Sequence, residues 1–310
     1  MISLFRNAIL GAAIVVLTGC PQRQEVSTTR GKISIDCDHA LLPVMKLFVE
    51  EYQRRYPETV ISLVPREARA AVVNFVNDST RMIVLDRPLN KEEEEALRSA
   101  NVEYREYNFA LDAVGVIVHS ENPIREMRLG QLDSILTGRV FRWPPRKGTI
   151  LPVHLAVCGP NSSTNAIVRT KVMDNKPFSP AARYFASNSE VVNFVRSDEG
   201  ALGIVPVGWL QKAEEGFVIL RLGDPGNPPD STQPLGTFYG PVQANVYRNY
   251  YPLSTKSYIY NRELLRTVGL GLISFINGID GQKIVQKNGL VPATMPIRLV
   301  ETTSTQVTTQ

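Results

Sequence analysis

The sequence predicts an α/β fold with mostly parallel sheets, organised as two domains. Three observations carry this. Short runs of β-branched residues alternate with apolar periods of 3.6 residues over the N-terminal third, and the same alternation resumes after residue 151. The length of 310 residues also suits two cores better than one. In order along the chain, residues 33–36 read as a strand. Leu41, Val44, Met45, Phe48, Val49 and Tyr52 then recur at helical spacing until Tyr56-Pro57 ends the helix. Residues 60–64 read as a strand, 68–77 as a helix with Ala71, Val72, Phe75 and Val76 inward, and 82–85 as a strand. Asn90 followed by Glu93 is a capping box opening a helix over 91–100, and the acidic run at 92–95 is its solvated, dipole-favoured first turn. Strands follow at 102–109 and 113–118, the second strongly apolar.

Beyond Ser120 the texture changes. Asn122-Pro123 makes a turn, 129–136 a short helix closed by Gly138, and Trp143-Pro144-Pro145 a rigid exposed stretch. The alternation then resumes with a strand at 151–157, a helix at 164–173, and a helix at 190–196 capped by Ser187 or Ser189. Strands follow at 201–205 and 218–222, then a Pro/Gly-rich loop at 223–234. Residues 257–260 read as a strand, 264–277 and 280–287 as helices, the last stopped by Asn288-Gly289. The Thr/Gln tail from 301 to 310 is expected to fray.

The N-terminus carries one charge, Arg6, then an apolar run at 8–17, then Leu17-Thr18-Gly19-Cys20. The run is far short of the roughly 20 residues a spanning helix needs. It reads as an export signal, and its end resembles the bacterial lipobox, in which the cysteine is lipidated and becomes the first residue of the mature protein. Residues 1–19 are thus expected to be removed, Cys20 to anchor the protein to a bacterial membrane on its periplasmic side, and 20–31 to act as a flexible tether. Hydrophobic residues make up 43% and charged residues 21%, which excludes disordered, collagen-like and disulfide-dense classes. A net charge of +4 spread over the chain gives no nucleic-acid footprint. The two remaining cysteines, Cys37 and Cys158, read as buried thiols beside strands rather than a bridge.

His39, His119 and His154 form no metal-ligand spacing, so neither a metal nor any other cofactor is expected. No glycine-rich phosphate loop follows the first strand, and no GxSxG elbow surrounds the serines, so the chain is not expected to be an enzyme. Two places suit an anion. Asn161-Ser162-Ser163-Thr164 follows a strand and opens a helix, where hydroxyls and free first-turn amides meet the positive end of the dipole. A plain N-cap by one of those hydroxyls is the competing reading. Asp86-Arg87 ends the third strand, where ligands of parallel sheets collect. Arg87 offers a donor fork there, and Asp86 an acceptor for a protonated oxyanion.

Residues 112–119 (DAVGVIVH), Asn122-Pro123, Gln131-Leu132, Ile135 to Arg139 and Trp143 resemble the central stretch of the periplasmic phosphate-binding proteins of ABC transporters. Asn161-Ser162-Ser163-Thr164 is similar to their Gly-Ser-Gly-Thr loop, and Gly200 to Pro206 to their GaIGYvp segment. Tyr251-Pro252-Leu253-Ser254, Gly281 to Val285 and Gly289 to Pro292 are similar to their C-terminal part. The resemblance runs in order over residues 32–295. It implies a two-lobed periplasmic-binding-protein fold of type II, each lobe a mixed sheet flanked by helices, joined by crossover strands. Lobe one would be 32–111 plus 243–300, and lobe two 112–242. It implies capture of phosphate or a related oxyanion between the lobes by a monomer that serves an ABC transporter permease. The alternative is a diverged member acting as an envelope sensor or partner-binding protein, with another ligand or none.

Carried over by residue, Ser162 and Thr164 stand at the family's anion-binding Ser and Thr, with Ser163 in place of the intervening Gly. Asp86 stands at the carboxylate that accepts from protonated phosphate. The departures are equally specific. The family's anion-pairing Arg aligns with Cys158, its first Gly/Ala/Thr-type loop is Asp38-His39-Ala40, and its Ser before the second helix is Glu67 or Ala68. Arg87 is the candidate replacement cation.

Overall fold

The computed structural model describes residues 27–145, 148–210, 215–224, 237–263 and 265–295. The expected export signal, Cys20, most of the expected tether, most of the loop at 223–234 and the tail lie outside the described residues. None of the described helices is long and apolar enough to cross a membrane.

The first lobe begins with β1 (Gly31–Asp38), α1 (Leu42–Arg55), β2 (Thr59–Arg66), α2 (Ala68–Val76), β3 (Met82–Leu85) and α3 (Lys91–Ser99). Strand β1 pairs in parallel with β2 on one side and β3 on the other, as the strand–helix alternation requires. The capping box forms as read: the Asn90 side chain accepts from the Glu93 amide, and Glu93 accepts from the Asn90 amide.

Next comes β4 (Arg105–His119), one unbroken strand of 15 residues where the sequence reading had two. Its first half pairs with β11 (Ser254–Asn261) and β12 (Val291–Pro292), and its second half with β8 (Ala201–Pro206) and β9 (Phe217–Ile219). The segment at 110–112, read as a break, is held extended because both edges of β4 find partners there. The lobes therefore share a strand. Because β11 runs antiparallel to both β3 and β4, the sheets are mixed.

The second lobe contains β5 (Glu126–Arg128), α4 (Leu129–Leu136), β6 (His154–Cys158), α5 (Ser163–Val172), β7 (Arg183–Phe185) and α6 (Asn188–Ser197). After β8 come α7 (Val207–Leu210), β9, β10 (Arg221–Gly223) and α8 (Gln243–Tyr247). Strand β6 pairs in parallel with β7 and β8. Following β11, α9 (Val268–Asn277) and α10 (Ile279–Lys287) return to the first lobe, packing on each other and on α1.

The main sheet is covered on both faces in each lobe. Met82 and Val84 of β3 enter one core with α1 and α9, while Ile83 and Leu85 enter another with α2 and Leu97 of α3. In the second lobe Val116 and Val118 face α4 and α5, whereas Ile117 faces α6. Burial of each such side chain contributes about 1.5–3 kcal/mol. Val246, Tyr251 and Leu253, which the sequence reading put with lobe one, pack into the second lobe's core.

Candidate ligand-binding cleft

The loop between β6 and α5 is built to expose amides. Gly159 turns the chain at φ +26°, a backbone region side chains rarely adopt, and Glu67 from the opposite lobe lies against it where a Cβ would go. Asn165 stitches the loop by donating to the carbonyls of Cys158 at 2.9 Å and Gly159 at 2.6 Å. Ser162 is the N-cap: its Oγ accepts from the Asn165 amide at 3.3 Å and donates to the Cys158 carbonyl at 3.2 Å. Ser163 and Thr164 form the buried first turn.

What sits on that turn is a carboxylate from the other lobe. Asp38, fully buried at the end of β1, accepts through Oδ2 from the Ser163 amide at 3.1 Å and the Ser163 hydroxyl at 2.6 Å. Its Oδ1 accepts from the Ala40 amide at 2.8 Å, closing a turn that fixes the side chain's direction. The positive end of α5 stabilises such a charge. The same loops touch again where Trp209 of α7 donates from Nε1 to the carbonyls of His39 at 2.9 Å and Ala40 at 3.1 Å. The cleft is closed.

Asp86 follows β3, fully buried. Its Oδ1 accepts from Ser257 Oγ at 2.7 Å, and its Oδ2 has no partner. Asp112 on β4 accepts from the Ala113 amide through Oδ1, and its Oδ2 is likewise unpartnered. Burial first, then Asp112, and further Asp38, push the Asp86 carboxyl well above the ordinary range, against the Ser257 hydrogen bond. Burial raises Asp112 to about 7. Near neutral pH the pair therefore retains a proton. Burial, then Asp38, Glu67 and Glu190, raise the Cys158 thiol to about 12, and Cys37 is raised by burial, Asp38 and Asp36. Both cysteines are free, buried, neutral thiols.

Arg87 does not supply the missing cation. It donates to both Glu93 oxygens at 2.7 Å and to the Pro88 carbonyl at 2.8 Å, an ion pair only 10% exposed on each side. Glu93, read as a solvated first-turn residue, is instead buried in this fork. The structure thus brings Asp38, Ala40, Ser162, Ser163, Thr164 and Asp86 to one cleft with the His39 backbone at its edge, and leaves Arg87 bound to Glu93 with no hydrogen bond to any of them. Asp112, Ser257 and Trp209 were missed as site residues. A lone carboxylate at the edge of the apolar run 113–118 was the available signal for Asp112. Among the described residues no cluster of His, Cys, Asp and Glu could hold a metal ion.

Two α/β lobes that share β4 and meet over a helix N-terminus define a two-lobed, cleft-forming α/β fold. The chain belongs to the PBP superfamily, since residues 23–276 match the family model of a PBP superfamily domain. SphX of Synechococcus elongatus is 24% identical over 207 residues, covering 65% of this chain and 61% of SphX. The phosphate-binding protein PstS of Staphylococcus aureus is 22% identical over 272 residues, covering 86% of this chain and 80% of PstS. A Clostridium perfringens substrate-binding protein with bound phosphate shares the fold at a TM-score of 0.72 and 20% identity, covering 84% of this chain and 99% of that one.

Proposed function

We propose that this protein is an extracytoplasmic solute-binding protein that captures phosphate or a related oxyanion in its cleft. It delivers the ion to an ABC transporter permease while anchored through lipidated Cys20. The observation that carries the reading is the seat on α5, where an amide and a hydroxyl already hold an oxyanion group, the Asp38 carboxylate, at hydrogen-bond distance. A solute oxyanion takes that seat when Asp38 withdraws. Ser162, Ser163 and Thr164 then donate to it, the Asp38-His39-Ala40 loop closes over it, and the protonated Asp86 meets its remaining oxygens. The PstS relative carries phosphate binding in its name, which supports the choice of ion. No bond is made or broken. Closure draws on the Trp209 contacts to the His39 and Ala40 carbonyls and on the contacts that the closed state makes with the ligand.

Calorimetry of the mature protein with phosphate, sulfate and arsenate tests this: phosphate should bind, and absence of heat at millimolar phosphate overturns the reading. A second reading, a diverged member that senses or binds a partner, is favoured by one observation. Cys158 stands where the resemblance implies a cation, while Asp38 and Glu67 line the cleft, so an incoming dianion meets carboxylates with no unpaired counter-charge at the α5 seat among the described residues. That reading stands if phosphate fails to bind even after Asp38 is neutralised.

A further inference from the structure

Beside the α5 seat, and separate from it, a cavity of about 640 Å³ opens between the lobes. One wall is the turn from Arg87 to Lys91 in the first lobe, and the other is the flank of α5 from Ala166 to Lys171 in the second. At roughly 30 Å³ per water it has room for about twenty, far more than a lone tetrahedral ion needs. Such a volume is typical of sites for small organic molecules.

Its charge is one-sided. Arg87, Lys91, Arg169 and Lys171 line it, and no Asp or Glu does. Arg87 is neutralised by Glu93, although its Nε keeps no acceptor. Arg169 gives its donors to the neutral carbonyls of Asn175 at 2.7 Å and Lys176 at 3.1 Å, and Lys171 reaches only the Pro252 carbonyl at 3.3 Å. Partial burial lowers the Lys171 ammonium's pKa with no carboxylate to offset it. Among the described residues Lys91, Arg169 and Lys171 make no ion pair, so three positive charges face one cavity uncompensated. Leu89 and Ile167, both buried, add apolar wall.

We propose that this cavity is a second binding site, which takes a phosphorylated organic small molecule. A phosphate monoester carries a charge of about −1.5 to −2 at neutral pH, which suits uncompensated cations better than a single carboxylate does, while the apolar wall accommodates the organic body. The site rests on the two-lobed cleft of the reading above and not on occupancy of the α5 seat. A ligand here bridges the lobes by contacting the Arg87–Lys91 turn and α5 together.

Calorimetry of the mature protein with phenyl phosphate, glucose 6-phosphate, citrate and inorganic phosphate tests it. At least one ester should bind one-to-one, about tenfold or more tighter than citrate, and should still bind when inorganic phosphate is present. The double variant Lys91→Glu/Lys171→Glu should lose about tenfold or more in ester affinity while its melting temperature and any inorganic phosphate binding stay unchanged. No heat from either ester at millimolar concentration, ester binding indifferent to the double variant, or citrate binding as tightly as the esters would each overturn the proposal. The inorganic phosphate arm separately decides the reading of the α5 seat.

Discussion

A carboxylate laid on the first turn of a helix gains from the dipole and from amides that would otherwise lack partners, and Asp38 gains both across the lobes. Any soluble anion must compete with this tethered one, whose effective concentration is high. Asp38→Asn keeps the acceptor for the Ala40 amide and removes the charge. It should raise phosphate affinity about tenfold or more, read by calorimetry, and unchanged affinity would remove Asp38 from the role of competitor. The Asp86–Asp112 pair gives a pH signature. An acid whose carboxyl is raised on folding binds more protons folded than unfolded, so its contribution to stability is lost as pH rises from the ordinary carboxylate range towards about 7. Asp112→Asn should therefore melt higher than the parent at pH 8 and close to it at pH 5. A parent with a flat melting profile over that interval would exclude the proton-sharing pair. At this scale the hydroxyl cluster 162–164 was legible because N-capping is local. The Asp38–Ser163 contact was not, because it joins residues 125 positions apart. Nor was the fate of Arg87, which depended on whether Glu93 folded back onto it.

Among the elements, those with a full period were readable: β3 and α4 lie on the residues assigned from the sequence, and α3 begins at its capping box. The three- and four-residue pieces β5, β7, β10 and α7 were not separately recognised, since so few residues hold no period and form only where a neighbour offers edge or packing. Strand β4 was read as two because a polar residue at 112 interrupts its apolar pattern, and pairing on both sides overrode that interruption. Helix α3 depends on its pair with Arg87. Glu93→Ala would leave a guanidinium buried and remove the half of the capping box that its carboxylate supplies, so it should cost about 3–5 kcal/mol in chemical denaturation. A loss under about 1 kcal/mol, the range of exposed pairs, would show that the fork contributes little.

Over the whole molecule, the two-lobed plan was legible from the order of motifs, which survives at identities where individual ligands have changed. The proposed anchor is tested at Cys20: Cys20→Ser should abolish fatty-acid labelling and release the protein from the membrane fraction, and retention of both would remove the anchor. The shared strand β4 also sets an order of assembly. Its second half finds β8 and β9 by residue 219, all within one continuous stretch of chain. Its first half must wait for β11, which ends at residue 261 and is needed to join β3 to β4. The lobe enclosed by the chain can therefore complete its sheet while the outer lobe still lacks its central strand, and the long loop closure needed for that last pairing is the slow, aggregation-exposed step of folding.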